Sequence, residues 1–412
     1  MHPRSGEYDC GMATQRARSR SIADSDEITI DTQRWNEEDA AESLESDAAP
    51  DTAALVVFSR DWTIETITSQ IRLGNIDLDP DFQRRNAWRD ERRSALIESF
   101  ILNFPVPQVV LAENPRHPKK YIVIDGKQRL LTIAGFFVPE TRSYWTSPRF
   151  TGLKILKELN RTPIDEFLGN PQFEKYRTQL LNADLRTTII SGFKNENVLY
   201  DIFYRLNTGS VPLSSQELRQ VLNRGDFSKH LLEATDKENP LWSALNQTGP
   251  DARLRDVELL LRLIAVRLFW TRYQGNMKPF LDLTMSELNT HWTSKADQIK
   301  SLSTDIFSAT EVAQSIFGHE LARKFKNERY EGALNRALFE TQVFHFLDRK
   351  VRSAAKRKGS AIKTAFEKLS RDDPEFLSSI EATTKSIENY KIRFSRYNLM
   401  LASVLKMSVP SL

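Results

Sequence analysis

The stretch that decides the fold is YIVIDGKQRLLTI, residues 121–133. Its first half is a short β-branched apolar run, which is typical of a buried strand. The run ends at Asp125 and Gly126, and KQRLLTIAGFF (127–137) has the apolar spacing of a helix. We therefore predict a strand, a tight turn at Gly126 and a helix, since glycine permits the sharp bend that such a junction needs.

The side chains at this junction are suited to holding an anion. The first amides of a helix lack partners within the helix and favour negative charge. Arg129 can offer a bidentate fork to a phosphate, and Lys127 can add a point charge. Asp125 could hold a metal, a ribose hydroxyl or a water nucleophile, and Gln128 could orient a water or contact a base. The structural alternative is a plain turn in which Asp125 caps the helix and Arg129 faces solvent.

The flanking sequence predicts more elements of an α+β domain. Helical patterns occupy DWTIETITSQIRLGNI (61–76), DERRSALIESFILNF (90–104) and ENVLYDIFYRLNTG (196–209). Strand patterns occupy QVVLAE (108–113) and RTTIISGF (186–193). In SSQELRQVLNRG (214–225), Ser214 and Glu217 have the spacing of a helix capping box.

Beyond residue 225 the pattern is helical, including RDVELLLRLIAVRLFW (255–270), GHELARKFKNERYEGALNRA (318–337) and NYKIRFSRYNLMLASVL (389–405). Residues 1–54 are acidic and nearly free of aromatics, which is typical of disorder. We predict a disordered leader at 1–54, an α+β domain at 55–225 and an all-helical domain at 226–412. His345, in VFHFL, is expected to be a core histidine.

Composition excludes several classes of protein. No run of eighteen apolar residues suggests a membrane helix, and no signal pattern opens the chain, so a cytoplasmic protein is expected. The single cysteine, Cys10, excludes an internal disulfide and a cysteine-based zinc cluster. Residues 1–54 carry a net charge of −8, which leaves +11 for the remainder of a chain whose net charge is +3. A basic body favours a polyanionic partner such as nucleic acid, although a merely soluble surface has the same composition.

A basic run, DRKVRSAAKRKGSAIK (348–363), lies in the predicted helical domain. Clustered cations neutralise phosphates regardless of base sequence, whereas the alternative is an ordinary solvated helix face. The candidate DNA contacts are Arg349, Lys350, Arg352, Lys356, Arg357 and Lys358.

Two further segments carry candidate site residues. DPDFQRRNAW (79–88) contains Gln83, Arg84 and Trp88, of which Trp88 is either a core anchor or a stacking platform. FYRLNTGSVPLSSQELR (203–219) places Phe203 and Asn207 one helical turn apart, with Thr208 next. Asn207 is either directed to the site or a helix C-cap.

Together these segments, with RDVELLLR (255–262) and YQGNMKPFLD (273–282), resemble the ParB/sulfiredoxin-like domain of GmrSD-type modification-dependent restriction proteins. The resemblance covers roughly residues 60–285. That family is marked by an Asp-Gly-Gln-Gln-Arg motif after a strand and a Phe-x-x-x-Asn motif on a later helix. VIDGKQRL (123–130) matches the first motif except at Lys127, which replaces a glutamine, and Phe203 and Asn207 match the second.

The resemblance implies a ParB/sulfiredoxin-like fold and an NTP-hydrolysing domain used against foreign, often modified, DNA. It implies catalytic roles for Asp125, Gln128, Arg129 and Asn207, with Asp125 positioning Mg²⁺ or a water. Its nucleotide-binding residues would be Gly126, Lys127, Gln83, Arg84 and Thr208. Arg84 and Arg219 would complete a positive rim. The identity of the nucleotide is left open.

In two-part members of that family an HNH-type nuclease cuts the DNA, and none of the six histidines here lies in such a motif. Three hypotheses remain. The first is a nucleotide-dependent, DNA-targeting enzyme that works with a separate nuclease or defence protein. The second is a non-catalytic sensor of nucleotide or modified DNA that regulates a nuclease or transcription. The third, direct DNA cleavage by the ParB-like domain, would need a second metal ligand. A homo-oligomer is compatible with each of them.

Overall fold

A computed structural model of the chain describes residues 55–78, 88–114, 117, 119–193, 214–381 and 386–412. The predicted leader, 1–54, lies outside the described residues. The described residues divide into two compact units. The N-terminal unit contains 55–232 and 251–254, and the C-terminal unit contains 233–250 and 255–412. The predicted boundary at residue 225 stays a prediction.

A five-stranded mixed sheet forms the centre of the N-terminal unit. Its strands are β1 (Val56–Thr63), β2 (Ile76–Asp77), β3 (Val109–Glu113), β4 (Tyr121–Asp125) and β5 (Asp184–Ser191). Their spatial order is β1-β5-β3-β4-β2. The β1–β5 and β3–β4 pairs are antiparallel, whereas β3–β5 and β2–β4 are parallel. The α+β prediction is confirmed, and β1 is a strand that the pattern analysis did not identify.

The central strands of the sheet are buried on both faces, and successive side chains of each strand point alternately to the two faces. Val109, Leu111 and Val123 belong to the larger core on one face. Ile122 and Ile124 belong to a smaller core on the other face. The uninterrupted apolar run in β4 follows from this two-sided burial.

Helices cover the two faces. The larger core is completed by α1 (Ile64–Arg72), α2 (Asp90–Ile101), α3 (Lys127–Phe137) and α5 (Glu174–Asn182). Leu218 and Leu222 of α6 (Ser215–Leu222) complete the smaller core. The predicted capping box is confirmed, because Ser214 Oγ accepts from Glu217 N at 3.1 Å and Ser214 N donates to the Glu217 carboxylate at 2.5 Å. A cap of this kind contributes about 1 kcal/mol.

An excursion of short elements connects α3 to β5. It contains 3₁₀ turns at Pro139–Tyr144, Lys157–Leu159 and Pro171–Phe173, with α4 (Ile164–Gly169) and α5 between and after them. The rings of Phe136, Phe150 and Phe167 meet in edge or tilted pairs, with centroids 5.1–5.7 Å apart. The excursion is therefore anchored to the larger core rather than being a free loop.

The C-terminal unit is mainly helical. Its helices are α8 (Pro240–Ala244), α9 (Arg255–Phe269), α10 (Met277–Thr290), α11 (Trp292–Phe317), α12 (Arg336–Phe344), α13 (Arg349–Lys356), α14 (Gly359–Asp372), α15 (Pro374–Glu381) and α16 (Ile387–Leu405). The boundary between the units falls within α7 (Asp226–Asp236). His345 is 2% exposed, which confirms the prediction of a core histidine. Burial lowers the pKa of His345 to about 4.

The prediction of an all-helical C-terminal domain was wrong at 318–337. This stretch contains an antiparallel hairpin of β6 (Arg323–Lys326) and β7 (Arg329–Leu334). Asn327 and Glu328, which connect the strands, have φ of 53° and 59°, as the central residues of a tight hairpin turn require. Phe325 and Tyr330 face each other across the strands with ring centroids 5.0 Å apart. The turn and this aromatic pair outweigh the helical propensity of the segment.

Among the described residues, no helix combines the length and the apolar character needed to cross a membrane.

Candidate functional site

The centre of the candidate site is the junction between β4 and α3, where the predicted strand, turn and helix are confirmed. Gly126 caps the helix with φ 89° and ψ 14°, in the left-handed region. A Cβ at this position would lie 2.5 Å from Val109 Cγ1 and 3.0 Å from Arg129 Nη2. Glycine is thus required by the backbone conformation and by the space available.

Asp125 and Arg129 form the central ion pair of the site. Asp125 Oδ2 lies 3.0 Å from Arg129 Nη2, and the same nitrogen donates to the Gln108 carbonyl at 2.8 Å. The side chain of Arg129 is 11% exposed and that of Asp125 is 24% exposed. The pair therefore lies at the surface edge of the sheet, partly shielded from solvent, where charge interactions are stronger than in bulk water.

The junction also holds polar atoms that no described residue satisfies. Gln128 Oε1 and Arg129 Nε are buried and have no hydrogen-bond partner within the described part of the chain. A buried polar atom without a partner costs about 1–3 kcal/mol. Lys127 is half-buried and begins α3, so its side chain lies beside the same helix terminus. The arrangement places a carboxylate, an amide, an arginine and a lysine around one helix N-terminus.

Gln83, Arg84, Phe203, Asn207 and Thr208 lie outside the described residues. Their roles stay predictions.

Arg219, the other candidate for the positive rim, is 2% exposed. Its Nη1 donates to Gln216 Oε1 at 2.6 Å within α6. A residue this buried cannot present charge at an open rim without rearrangement.

Arg93, which no sequence pattern singled out, lies on α2 and is completely buried. Arg93 Nη2 donates to the Trp88 carbonyl at 3.2 Å, and Nε lies 3.6 Å from Asp90 Oδ1, while Nε and Nη1 have no hydrogen-bond partner among the described residues. Burial lowers the pKa of Arg93, and the nearby Asp90 charge partly offsets that effect. Trp88 packs against the larger core and carries the guanidinium of Arg92 over its ring at 4.3 Å. Both predicted roles of Trp88, core anchor and stacking platform, are compatible with this half-buried position.

Asp125 was the predicted metal ligand. Among the described residues, no group of three or more His, Cys, Asp or Glu side chains is arranged to hold a metal ion. Mg²⁺ is commonly held by one or two carboxylates together with phosphate oxygens and waters. A single carboxylate at the edge of the sheet fits that pattern only where a nucleotide supplies the other ligands.

The six predicted DNA contacts lie on and just after α13, and they differ in their surroundings. Arg352 donates to the Asp305 carboxylate at 3.0 Å and is 13% exposed. Lys358 Nζ donates to the Val404 carbonyl at 2.6 Å. Arg349 also lies 3.5 Å from Asp305, but it is 78% exposed. Arg352 and Lys358 therefore hold helices together.

The other three predicted contacts, Lys350, Lys356 and Arg357, are exposed. Their charges are thus available at the surface.

A comparison with protein-family models matches residues 64–222 to the family described as GmrSD restriction endonuclease, N-terminal domain. The matched range contains the whole β4–α3 junction, and the cations of α13 lie outside it. A search of the curated proteins found no match. A search of the solved structures also found none.

Proposed function

Because residues 64–222 form a GmrSD-type restriction protein N-terminal domain, we propose that this chain is a nucleotide-dependent, DNA-targeting protein of a restriction-type defence system. In this proposal the domain has a ParB/sulfiredoxin-like fold and hydrolyses an NTP in the cytoplasm. DNA is its target, and a separate nuclease domain or protein performs the cut.

The observation that supports this proposal is the geometry of the β4–α3 junction. Gly126 opens the helix terminus, so the first amides of α3 are unobstructed by a side chain at the cap. The first amides of a helix have no partner within the helix, and helix starts favour phosphate. Lys127 and Arg129 add positive charge within one turn of that terminus.

Asp125 and Gln128 would supply the remaining chemistry. Asp125 at the end of β4 would hold Mg²⁺ through a carboxylate oxygen, with the phosphates providing further ligands. Bound Mg²⁺ neutralises charge on the phosphates that it contacts. Gln128, whose Oε1 has no partner among the described residues, would accept a hydrogen bond from a water or from the nucleotide.

The ion pair at the junction favours a second function. Arg129 Nη2 is engaged by Asp125 and by the Gln108 carbonyl, so neither the arginine nor the carboxylate is fully available in this state. A nucleotide that exchanged these partners would switch the site without turnover. The chain would then be a nucleotide or modified-DNA sensor that controls a separate nuclease or transcription.

Hydrolysis of each of the four NTPs with Mg²⁺, with and without duplex DNA, tests the proposal. The test variants are Asp125→Asn and Arg129→Ala. The control is Asp165→Asn, because Asp165 also pairs with an arginine, Arg142, at 2.7 Å but lies in α4 away from the junction. We expect hydrolysis of at least one NTP, a loss of about 100-fold or more in both test variants, and no loss in the control.

Two other results would decide against turnover. If no NTP is hydrolysed but Arg129→Ala weakens nucleotide binding, the sensor is supported. If the chain neither hydrolyses nor binds any NTP, the junction is a structural turn and the proposal fails.

A further inference from the structure

A ladder of polar side chains runs along one face of α2. Asp90, Ser94 and Glu98 are spaced four residues apart, so they lie above one another on the helix. Glu98 is 7% exposed, and its Oε1 accepts from the backbone amides of Ile155 and Leu156 at 2.9 and 2.7 Å. A buried carboxylate satisfied in this way holds the excursion after α3 close to α2.

The other two members of the ladder act in the same way. The Asp90 carboxylate accepts from the amides of Thr146 and Ser147 at 3.2 and 2.6 Å. Ser94 Oγ accepts from the amide of Thr151 at 2.9 Å. All three helix positions therefore satisfy amides of one segment, 146–156, which has no regular strand or helix of its own.

The segment is also held by local backbone and side-chain hydrogen bonds. Arg149 forms an isolated bridge with Pro163. The side chain of Asn160 donates to the Leu153 carbonyl at 3.1 Å and accepts from the Leu153 amide at 2.9 Å. Such a segment presents its outward side chains from a fixed backbone.

Exposed cations occur on the segment and just after it. Arg149 and Lys154 belong to residues 146–156, and Lys157 and Arg161 follow them. None of the four forms an ion pair with another described residue. Residues 149–161 contain one acidic residue, Glu158, whose carboxylate accepts from the Tyr176 hydroxyl at 2.8 Å. On α2, Glu91 approaches the segment at Gly152, while the carboxylates of Asp90 and Glu98 accept from its backbone amides.

We propose that this surface, residues 149–161 with Arg149, Lys154, Lys157 and Arg161, binds the phosphate backbone of duplex DNA. The inference rests on the proposed function, since it assigns a DNA contact to the domain that would use the nucleotide. Cations that neutralise phosphates release counterions and bind without regard to base sequence. The ladder on α2 lowers the entropic cost of binding, because the backbone that carries the cations is already ordered.

The surface is suited to phosphates rather than to bases. Phe150, the aromatic residue of the segment, is buried completely, so it offers no ring on which a base could stack. Ile155 is 55% exposed beside Lys154, whereas the nearby Glu98 carboxylate is buried and accepts from the amides of Ile155 and Leu156. We therefore expect the surface to contribute affinity and not sequence preference.

The test is the salt dependence of DNA binding by the full chain. The test variant is the triple Arg149→Gln, Lys154→Gln, Lys157→Gln, which leaves Arg161 in place because its φ is 70°. The control is the triple Arg60→Gln, Lys120→Gln, Lys175→Gln, which removes the same charge from exposed positions elsewhere in the N-terminal unit. Binding to a fluorescent duplex of random sequence is followed by anisotropy at several salt concentrations, without nucleotide, and thermal unfolding of each variant checks its folding.

We expect the slope of log K against log salt to fall in magnitude by about 2–3 in the test variant, since each lost phosphate contact removes about 0.9. The control should keep the slope of the unmodified chain. An unchanged slope in the test variant, an equal change in the control, or no DNA binding at low salt would overturn the inference. Because the assay contains no nucleotide, absent NTP hydrolysis would defeat the proposed enzyme while leaving this result standing.

Discussion

The β4–α3 junction and the core of the C-terminal unit both pair arginines with carboxylates, but they do so in different surroundings. At the junction, Asp125 is 24% exposed and its partner Arg129 retains a buried Nε without a described partner. In the core, Glu258 accepts from Arg262 at 3.0 Å and from Arg336 at 2.9 Å, and all three are at most 5% exposed. The junction is open and incompletely satisfied, whereas the Glu258 cluster is closed.

The closed cluster continues through Glu340, which is completely buried. Glu340 bonds to Arg262 and to the Tyr390 hydroxyl, and Arg393 lies 3.8 Å away. Burial raises the pKa of Tyr390 well above its usual value, so the phenol stays neutral and its hydroxyl donates a hydrogen bond to Glu340. Arg393 lies over the Tyr390 ring at 3.8 Å. Each charge is paired, as a buried ion must be if the core is to remain stable.

This difference indicates that the Glu340 cluster stabilises the fold, whereas the Asp125–Arg129 pair can exchange partners. A ligand can displace the Asp125–Arg129 contact at limited cost because solvent and free polar atoms are close by. The Glu340 cluster has no such freedom, since removing one member leaves others charged in a dry environment.

The largest expected effect is therefore at Glu340. Glu340→Gln should lower the free energy of unfolding by about 3–5 kcal/mol, because Arg393 loses its buried counter-charge and Arg262 loses one of its two carboxylate partners. Urea denaturation followed by far-UV circular dichroism measures the change. The control is Glu375→Gln, since Glu375 pairs with Arg396 at 2.7 Å but is 66% exposed and should cost at most about 1 kcal/mol. An equal loss of unfolding free energy in the two variants would show that the buried Glu340 cluster is no more important for stability than an exposed ion pair.

The second effect concerns pH. Burial lowers the pKa of His345 to about 4, below the usual value of 6.5. Between pH 6.5 and pH 4, His345 is protonated in the unfolded chain but neutral in the folded chain. The contribution of His345 to the free energy of unfolding is therefore fully present above pH 6.5 and is lost as the pH falls towards 4. The loss should reach about 3 kcal/mol. The stability of the unmodified chain and of His345→Phe, measured from pH 7 to pH 4.5, should diverge.

Phenylalanine suits that position because His345 lies between the rings of Phe394 and Tyr397, at 5.5 and 5.4 Å. His291→Gln is the control, since its side chain is 50% exposed. Parallel pH profiles for the unmodified chain and His345→Phe would contradict the prediction.

The third effect tests the junction. Gly126→Ala should cost about 2–3 kcal/mol, from the left-handed backbone and from contact of the new Cβ with Val109. Gly74→Ala isolates the backbone part, because Gly74 has φ 65° but nothing lies within 4 Å of its Cβ position. It should cost about 1 kcal/mol. Thermal unfolding measures the loss of stability in both variants. A smaller loss in Gly126→Ala than in Gly74→Ala would show that the junction can accommodate a Cβ without a steric clash.

A structural feature could be predicted from the sequence when the residues whose contacts determine it lie close together along the chain. The strand, turn and helix around Gly126 were predictable because their signals are consecutive residues. The β6–β7 hairpin was not, since its turn at Asn327 and Glu328 lacks the glycine that usually marks left-handed positions. The capping box at Ser214 was predictable because Ser214 and Glu217 are only three residues apart.

Partners far apart in the sequence were beyond the reach of pattern analysis. Asp305, the partner of Arg352, is 47 residues away, and Val404, the partner of Lys358, is 46 residues away. For this reason six cations that were equivalent in the sequence are not equivalent in the fold. The ladder of Asp90, Ser94 and Glu98 was missed for the same reason, because the amides it satisfies follow more than fifty residues later.

The smallest effect on stability divides the cations of α13 into two kinds. Arg352→Ala should lower the free energy of unfolding by about 1–2 kcal/mol, because it removes the charged hydrogen bond to Asp305. The triple Lys350→Gln, Lys356→Gln, Arg357→Gln should stay within about 0.5 kcal/mol of the unmodified chain, since these side chains are exposed.

DNA binding should show the reverse order. If the exposed cations of α13 contact phosphates, the triple lowers the magnitude of the salt slope by about 2–3, whereas Arg352→Ala leaves it nearly unchanged. The measurements are urea denaturation and fluorescence anisotropy on the same two proteins. If the triple variant loses stability and its slope of log K against log salt is unchanged, these cations stabilise the fold and do not contact DNA. The exposed cations of α13 would then have a structural role, like the Glu340 cluster.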